Sequence, residues 1–301
     1  MWFHNLQLYR LPAPWTITAD QLREQLGRGV FHPTAGHEAR SRGWVAPRKD
    51  GDLVYAANGH WLISLVVENR LLPACVVNAE VAQRAEALFN QQGYAPGRKA
   101  LRELKERVID ELLPRSHTVR ARTFVWIDPQ NGWFIVDAGS PARADQVIEH
   151  LRHCLDEFPL TPLHTELSPQ SAMADWLAGE APAGFTIDRD CELKALGEEK
   201  SAVAFKRHPL GDEVSGEIKA HLAAGKLPTR LALTWDDRVS FILDAKLTLK
   251  RLAFLDLLKE EAEQNAETAA DQFDADFAIM TGELSRFIPA LVAALGGEVQ
   301  S

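Results

Sequence analysis

The segment RKALRELKERVIDELLPRSHTVRARTFVWIDPQNGWFIVDAG, residues 98–139, joins a helix pattern to a hairpin pattern. Its apolar residues first recur at intervals of three and four, which predicts a helix over 98–113 with one packed face. Pro114 ends this helix because proline cannot continue helical hydrogen bonding. Alternation over 116–127 predicts a strand, and a turn leads to a second strand, 133–137. Both strands are rich in aromatic and β-branched residues, which predicts the middle of a sheet.

The same segment concentrates positive charge. Residues 98–122 hold eight Lys or Arg and four Asp or Glu, in a chain whose formal net charge is −9. An acidic protein that gathers cations in one place is a candidate for contact with a polyanion there. Arg120 and Arg122 project to the same side of the strand, about 6–7 Å apart by strand rise, which is near the phosphate spacing of a nucleic acid. An ordinary solvated helix and strand would carry the same pattern, so that alternative stays open.

Composition places the chain among ordinary globular proteins. It has 301 residues, of which 46% are hydrophobic and 25% charged. No apolar run reaches the ~20 residues that span a bilayer, and the N-terminus lacks the features of a secretory signal. Cys75, Cys154 and Cys191 are widely spaced and odd in number. We therefore expect reduced thiols, a cytoplasmic location and no membrane partner.

Local signals along the chain predict an α+β fold with mixed or antiparallel sheets. Thr18 and Gln21 have the spacing of a capping box. Asn58-Gly59 and Asp236-Asp237-Arg238 predict hairpin turns. Ser140-Pro141 and Ser168-Pro169 predict helix starts. Hairpins alternate with helices, and no regular βαβ series is present.

Breaks in composition divide the chain into three parts. Residues 1–72 and 124–180 would form a central α+β domain, 73–123 a helical tip with the basic helix and strand, and 181–301 a C-terminal α+β base domain. In the last part, 184–187 and 191–196 read as separate strands, and helices are expected over 256–270 and 273–295. The helix predicted over 73–92 has five core candidates, which are Val76, Val77, Ala79, Val81 and Leu88.

Catalytic motifs are absent from the sequence. It has no phosphate-binding loop, no dinucleotide-binding glycine pattern, no G-x-S-x-G and no H-E-x-x-H. His150, His153 and Cys154 lack the second cluster of a zinc site, so packing is the favoured interpretation. We therefore expect a protein that is not an enzyme and that needs no cofactor or metal. One alternative stays open: Asp128 and Asp137 end the two arms of one hairpin and would hold Mg²⁺ if they lay together, as in metal-dependent nucleases.

Further charges lie later in the chain. Short basic clusters occur at Lys206-Arg207-His208, at Lys226 with Arg230, and at Lys250-Arg251, whereas residues 256–283 hold nine Asp or Glu and one Lys. Contact with a DNA backbone needs many such modest cations, because each neutralised phosphate adds to affinity through counterion release. The late acidic helices are either a solvated face or a contact surface.

Five stretches, in order from Met1 to Gly297, resemble the bacterial recombination-associated RdgC family. They are MWFHNLQLYRL at the N-terminus, GWVAP at 43–47, LLPR at 112–115, WID at 126–128 and FDADFAIMTGEL at 273–284. The first and last are the specific ones. The resemblance implies an elongated, multi-lobe subunit that forms a ring-shaped homodimer around duplex DNA.

The resemblance also implies a function. Such a nucleoid-associated protein would bind double-stranded DNA, and also single strands, without sequence specificity, and would limit the access of RecA to DNA. Carried onto this chain, the DNA-binding residues would be Arg98, Lys99, Arg102, Lys105, Arg115, Arg120, Arg122, Lys206 and Arg207. Two alternatives remain: the nuclease with Asp128 and Asp137, and a module that binds a recombinase directly through the acidic C-terminal helices.

Overall fold

A computed structural model describes residues 1–49, 51–195, 201–206, 212–255 and 268–299. The strands are β1 Leu6–Arg10, β2 Arg40–Val45, β3 Tyr55–Ala57, β4 His60–Arg70, β5 Thr118–Asp128, β6 Trp133–Asp137, β7 Thr161–Pro162, β8 Phe185–Ala195, β9 Ala202–Phe205, β10 Lys226–Trp235, β11 Val239–Asp244 and β12 Thr248–Phe254. The α-helices are α1 Ala19–Leu26, α2 Ala74–Gln92, α3 Arg98–Leu112, α4 Pro141–Cys154, α5 Pro169–Ala178, α6 Asp212–Ala223 and α7 Ala269–Ala294. Short 3-10 turns follow α1 and α3.

The twelve strands in the described part of the chain all belong to one sheet. Its order is β2-β4-β5-β6-β1-β12-β11-β10-β8-β9, with β3 added to β4 and β7 to β1. The pairs within this order are antiparallel, which confirms the α+β class and the predicted hairpins β5–β6 and β10–β11. The sheet continues through the β1–β12 pair, which joins the N-terminal strands to the C-terminal ones. The division into three domains stays a prediction.

Two predicted element bounds were wrong. Where the sequence predicted two strands, over 184–187 and 191–196, residues 185–195 form one strand, β8, whose pairing with β10 contains register shifts. The shifts interrupt the alternation of buried residues, so the sequence pattern looked like two short strands. The last helix begins at Ala269 rather than 273. Most of the helix predicted over 256–270 lies outside the described residues.

Two hydrophobic cores lie on opposite faces of the sheet. One packs α1 and α4 onto the N-terminal strands, around Leu22, Trp44 and Leu151. The other packs α5, α6 and α7 onto the C-terminal strands and extends beneath β4–β6, around Trp126 and Phe287. Each large apolar side chain buried in this way contributes roughly 1.5–3 kcal/mol. The two cores therefore hold both ends of the sheet in place.

The sequence stretch GWVAP stabilises the first core. Gly43 lies in β2 where residues 30 and 31 cross it, and a Cβ on Gly43 would lie 2.3 Å from the backbone Cα of Phe31. Next to it, the fully buried Trp44 donates its indole N–H to Sγ of Cys154 at 3.4 Å. His150 packs against Trp44 and contacts the carbonyl oxygen of Gly29 at 3.0 Å. His150 and Cys154 are thus packing residues, as the sequence favoured.

The stretch FDADFAIMTGEL lies in α7 and contacts both the N-terminal and the C-terminal part of the chain. Asp274 accepts hydrogen bonds from Arg48 at 2.9 Å and from the Tyr55 hydroxyl at 2.7 Å. The buried Glu283 accepts two hydrogen bonds from Arg238, at 3.0 and 2.7 Å. These motif residues therefore have a structural role.

One helix in the described part of the chain, α7, is long and apolar enough to cross a membrane by length and composition alone. Its buried residues include Phe277, Met280 and Leu284, which pack in the second core, and the carboxylates Asp276 and Glu283. A core helix of a globular protein has this environment, so α7 is weak evidence for a membrane span.

Candidate nucleic-acid interface

The basic helix α3 presents its cations to solvent because the middle of its apolar stripe is packed. Leu104 and Val108 are buried, and α3 packs against α2. The four predicted cations of this helix are exposed; they are Arg98, Lys99, Arg102 and Lys105. Two of them open the helix, where the positive end of the helix dipole also attracts anions. The side chain of Arg102 is 83% exposed and forms a surface ion pair with Glu106 at 3.1 Å.

The turn after α3 holds Arg115 at the surface. Arg70 of β4 fixes this turn by donating to the carbonyl oxygens of Leu113 at 3.2 Å and Pro114 at 3.1 Å. Sequence reasoning missed Arg70, because it lies more than forty residues before the carbonyls that it binds. Arg115 is thus displayed by a turn with a defined geometry.

Arg120 is less free than the sequence suggested. It pairs with the buried carboxylate of Glu68, directly across from it on β4, with 2.5 Å between Nε and Oε2. The other Glu68 oxygen accepts hydrogen bonds from the backbone and hydroxyl groups of Thr34. The Arg120 hydrogen bond is the main reason why the pKa of Glu68 falls from 4.5 to about 2. Part of the Arg120 charge is therefore already neutralised within the chain.

Arg122 lies on the same side of β5 as Arg120, opposite Val66 of β4. It donates to the carbonyl oxygen of Pro47 at 3.4 Å, a long hydrogen bond that leaves other guanidinium donors for a ligand. Arg143 of α4 adds a cation that sequence reasoning missed: it donates to the carbonyl oxygen of Arg122 at 2.5 Å and to the Thr123 hydroxyl at 2.8 Å. The only sequence signal for Arg143 was a positive charge near the predicted start of α4.

The remaining predicted cations lie at the other end of the sheet. Lys206 directly follows β9, which is the last strand in the order, and it is exposed. Arg207 lies outside the described residues. Within one chain, the sheet order separates Lys206 from β5 by seven strand steps. Within one chain, Lys206 therefore does not lie beside the cations of β5.

The two aspartates of the nuclease alternative do not lie together. Asp128 pairs with Trp133 at the closed end of the β5–β6 hairpin, whereas Asp137 is four residues further along β6. At the usual strand rise this separates them by roughly 13 Å, which is too far to share one metal ion. The proximity that the nuclease alternative requires is therefore not present.

Both carboxylates have structural partners. Oδ1 of Asp128 accepts from the backbone N–H groups of Gln130 and Asn131, each at 3.1 Å. Oδ1 of Asp137 accepts from the backbone of His4 at 3.1 Å and of Asn5 at 2.9 Å. Burial raises the pKa of Asp137. Among the residues that the structure describes, no group of three or more His, Cys, Asp or Glu could hold a metal ion.

The fold and the surface together define a class: an α+β protein built on one large antiparallel sheet, with exposed cations on a helix and strand at one end. The family model described as "Putative exonuclease, RdgC" matches residues 1–298. The chain is 70% identical over 300 residues to the recombination-associated protein RdgC of Dechloromonas aromatica (strain RCB), covering 99% of each chain. It is 50% identical to the proteins of that name from Janthinobacterium sp. (strain Marseille), over 100% of this chain and 99% of the relative, and from Herminiimonas arsenicoxydans, over 99% of each.

The chain therefore belongs to the RdgC family, and the resemblance carried by its sequence motifs is confirmed. The names of these relatives associate them with recombination and state no catalytic activity. The family description mentions an exonuclease.

Proposed function

We propose that this protein is a sequence-non-specific DNA-binding protein that acts as a homodimer and limits the access of RecA to DNA. The observation that carries the proposal is the exposed helix α3, whose cations Arg98, Lys99, Arg102 and Lys105 stand out in a chain of net charge −9. Phosphate contacts of this kind bind any sequence, because they touch no base edge. The protein acts in the cytoplasm, associated with the nucleoid, and needs no cofactor or metal.

Exposed apolar residues around the tip support dimer formation. Of the five core candidates in α2, only Val77 is buried, whereas Val76 is 47% exposed. Other large apolar residues that are exposed in the tip or beside it in the sequence are Leu71, Phe89, Tyr94, Leu101 and Val119. An apolar surface of this kind favours contact with a protein partner. A second copy would cover it and would also bring a second basic helix to the same duplex.

The edge of β5 supports the same contact. β6 pairs with β5 only between Val125 and Asp128, so residues 118–121 have no strand partner on that side among the described residues. An exposed strand edge is a template for pairing with another chain. A twofold contact at the tip, together with one at the opposite end of the subunit, would close the ring that we propose around the duplex.

The twist of the sheet supports a shared role for the tip cations and Lys206, although seven strand steps separate β5 from β9. Arg120 and Trp126 lie on one face of the sheet, whereas Arg230 and Lys250 lie on the opposite face. A typical twist of about 20–25° per strand pair accumulates to roughly 140–175° over the seven steps from β5 to β9. Such a rotation turns the two opposite faces toward a similar direction. The tip cations and Lys206 would then face the same DNA.

Salt-dependent binding tests the proposal. We expect the logarithm of the association constant for duplex DNA to fall linearly with the logarithm of salt concentration, and to vary little with sequence. The triple variant Arg98→Ala/Arg102→Ala/Lys105→Ala should lower affinity about tenfold or more near 100 mM salt. The variant should also reduce the magnitude of the slope of this salt dependence by about 1 for each phosphate that it no longer neutralises.

A charge-matched control separates a local contact from general charge. Arg152→Ala/Lys219→Ala/Lys246→Ala removes three exposed cations outside the tip. It should change affinity far less than the tip variant. Equal losses in both variants, or binding that is insensitive to salt, would show that α3 is not the DNA surface.

Neither alternative function is favoured by a specific observation. The separated positions of Asp128 and Asp137 argue against a shared Mg²⁺ site, and incubation of DNA with the protein and Mg²⁺ should leave the DNA intact. In α7, Asp274 is engaged by Arg48, and Glu283 by Arg238 and Arg286. We expect inhibition of RecA to disappear when DNA saturates both proteins; inhibition that persists would favour direct recombinase binding.

A further inference from the structure

A cavity of about 320 Å³ opens on the C-terminal half of the sheet, on the face opposite to α5 and α7. Its cations are Lys206, Arg230, Lys250 and Arg251. Two carboxylates, Asp190 and Glu192, also line it, so the charged lining has a formal excess of two positive charges. A volume of this size is typical of small-ligand sites, whereas a DNA duplex cannot enter it.

A β-bulge in β12 places two of these cations side by side. Ser240 pairs with Ala253, but Ile242 pairs with Lys250, so β12 has one extra residue between them. Leu249 and Leu252 are both buried in the core. In a regular strand Lys250 and Arg251 would point to opposite faces. The extra residue instead lets both line the cavity, and Arg251 adopts the left-handed backbone region with φ of 50°.

A second bulge, in β10, places Arg230. Pro228 pairs with Leu193 and Arg230 with Glu192, so Thr229 is the extra residue. In a regular strand Arg230, two residues after the buried Pro228, would lie on the same face as Pro228. The bulge turns Arg230 to the cavity face and returns Leu231 to the core. Bulges often re-aim side chains next to functional sites, and here two of them serve one cavity.

His4 and Asn5, which directly precede β1, hold the strained Arg251 in place. The backbone N–H of Arg251 donates to Oδ1 of Asn5 at 3.4 Å, and that of Leu252 donates to the carbonyl oxygen of His4 at 2.8 Å. Asp137 in turn binds the backbone N–H groups of His4 and Asn5. Unfavourable backbone conformations persist only where surrounding contacts maintain them, and they concentrate at functional sites.

The ion pairs in the cavity leave donors for a ligand. Arg230 lies 3.4 Å from Glu192, and Arg251 lies 3.7 Å from Asp190. Both distances exceed the roughly 2.7–2.9 Å that is usual for charge-assisted hydrogen bonds. Each guanidinium has five N–H donors, so these contacts do not saturate it. Lys250 has a closer partner, Asp244, at 2.8 Å.

We propose that this cavity binds the phosphate of a nucleoside monophosphate, either free or at the end of a nucleic-acid strand. A phosphate monoester carries about −1.5 to −2 charges at pH 7, which matches the two excess positive charges of the lining, whereas a backbone diester carries one. Ala204 and Ile242 supply an apolar wall for the nucleoside. This site goes beyond the proposed function, because binding a mononucleotide requires neither a dimer nor the tip.

Isothermal titration calorimetry of the full chain with deoxyadenosine monophosphate tests the site. We expect saturable binding of deoxyadenosine monophosphate at low salt. Deoxyadenosine should bind at least about tenfold more weakly, because it lacks the phosphate that accepts the charge-assisted hydrogen bonds. Arg230→Ala and Arg251→Ala should each weaken nucleotide binding about tenfold. Lys246→Ala, an exposed cation in the β11–β12 turn that does not line the cavity, should leave it unchanged.

Further variants separate loss of binding from loss of fold. Arg251→Gly suits the positive φ and should keep the melting temperature while weakening nucleotide binding. The tip variant Arg98→Ala/Arg102→Ala/Lys105→Ala should bind the mononucleotide normally, so a failure at one site is distinguishable from a failure at the other. No binding by the wild-type protein, equal affinity for deoxyadenosine, or equal loss in Lys246→Ala would overturn the proposal.

Two DNA hairpins distinguish the sources of the phosphate. If strand ends are bound, a hairpin with a 5′- or 3′-terminal phosphate should bind more tightly than its hydroxyl counterpart, and Arg251→Ala should remove the difference. If the free nucleotide is the ligand, the two hairpins should bind alike while deoxyadenosine monophosphate still binds the cavity. Each result supports the cavity as a phosphomonoester site and identifies the source of the phosphate.

Discussion

Glu68 shows how one residue changes the meaning of a sequence pattern. Arg120 and Arg122 alternate along β5 as two free phosphate ligands would, yet Arg120 is paired with Glu68, 52 residues earlier in the chain. The side chain of Glu68 is 2% exposed and that of Arg120 is 57% exposed, so the pair joins a buried carboxylate to a guanidinium at the surface. Alternation predicts which way an arginine points, but it contains no information about a partner on another strand.

The depressed pKa of Glu68 predicts a specific dependence of stability on pH. Its pKa is about 2 in the folded protein against an ordinary 4.5, so between these values the unfolded chain binds a proton that the folded chain does not. The contribution of Glu68 is therefore complete above about pH 4.5 and is lost as pH falls toward 2. We expect Glu68→Gln to be less stable at pH 7, with a difference from wild type that shrinks between pH 5 and pH 3.

Urea unfolding at pH 7, 5, 4 and 3 measures this difference. Glu86→Gln, which changes an exposed carboxylate of α2, is the control and should follow the wild-type curve. A difference between Glu68→Gln and wild type that is constant with pH would mean that the carboxylate is not ionised in the way its contacts imply.

At the scale of elements, the close packing of β2 against residues 30 and 31 depends on one glycine, Gly43. A Cβ on Gly43 would approach the backbone of Phe31 to 2.3 Å, and backbone atoms cannot move aside as a flexible side chain does. The hydrogen bond from Phe31 N–H to the carbonyl oxygen of Trp44, at 3.0 Å, lies beside this contact. We expect Gly43→Ala to destabilise the protein by at least about 3 kcal/mol.

Gly282→Ala is the matched control. Gly282 lies within α7, and a Cβ there would meet no atom within 4 Å. Alanine favours a helix over glycine by roughly 0.5–1 kcal/mol, so this variant should be slightly more stable than wild type. Chemical denaturation of both variants measures the two changes, and a Gly43→Ala protein as stable as wild type would contradict the close approach.

Local chemistry determined which elements could be predicted from the sequence. The Thr18 and Gln21 capping box forms as expected, and Asp236 and Asp237 both adopt positive φ in their hairpin turn. These signals lie within four residues, so the sequence contains the whole interaction. The bulge at Arg251 depends on pairing with β11 and on contacts with Asn5, which lies 246 residues away. Such pairings are fixed by tertiary structure, and the sequence pattern around Lys250-Arg251 showed only two adjacent charges.

At the scale of the whole molecule, apolar side chains are buried around the sheet but exposed at the tip. The cores enclose the sheet, whereas the tip leaves Phe89 47% and Val119 48% exposed. If a second copy covers this surface, Phe89→Asp/Val119→Asp should leave the contact at the opposite end of the subunit to hold the dimer alone, because buried charge without a partner is strongly unfavourable at an interface. The variant should then dissociate to monomers at protein concentrations at which the wild type stays dimeric. Light scattering coupled to size-exclusion chromatography measures the mass. Leu167→Asp, a change at an exposed apolar residue outside the tip, should leave the mass unchanged.

The same variant connects assembly to DNA binding. A dimer that surrounds one duplex presents each basic helix twice, so its salt slope should be about twice that of a monomer with one set of phosphate contacts. We expect Phe89→Asp/Val119→Asp to bind duplex DNA more weakly with a slope reduced by about half, although it removes no cation. A monomer that keeps the wild-type slope would mean that one subunit makes all the phosphate contacts and that the ring is unnecessary for binding. A variant that stays dimeric at every protein concentration at which the wild type does would instead show that the exposed apolar surface of the tip is not part of a subunit contact.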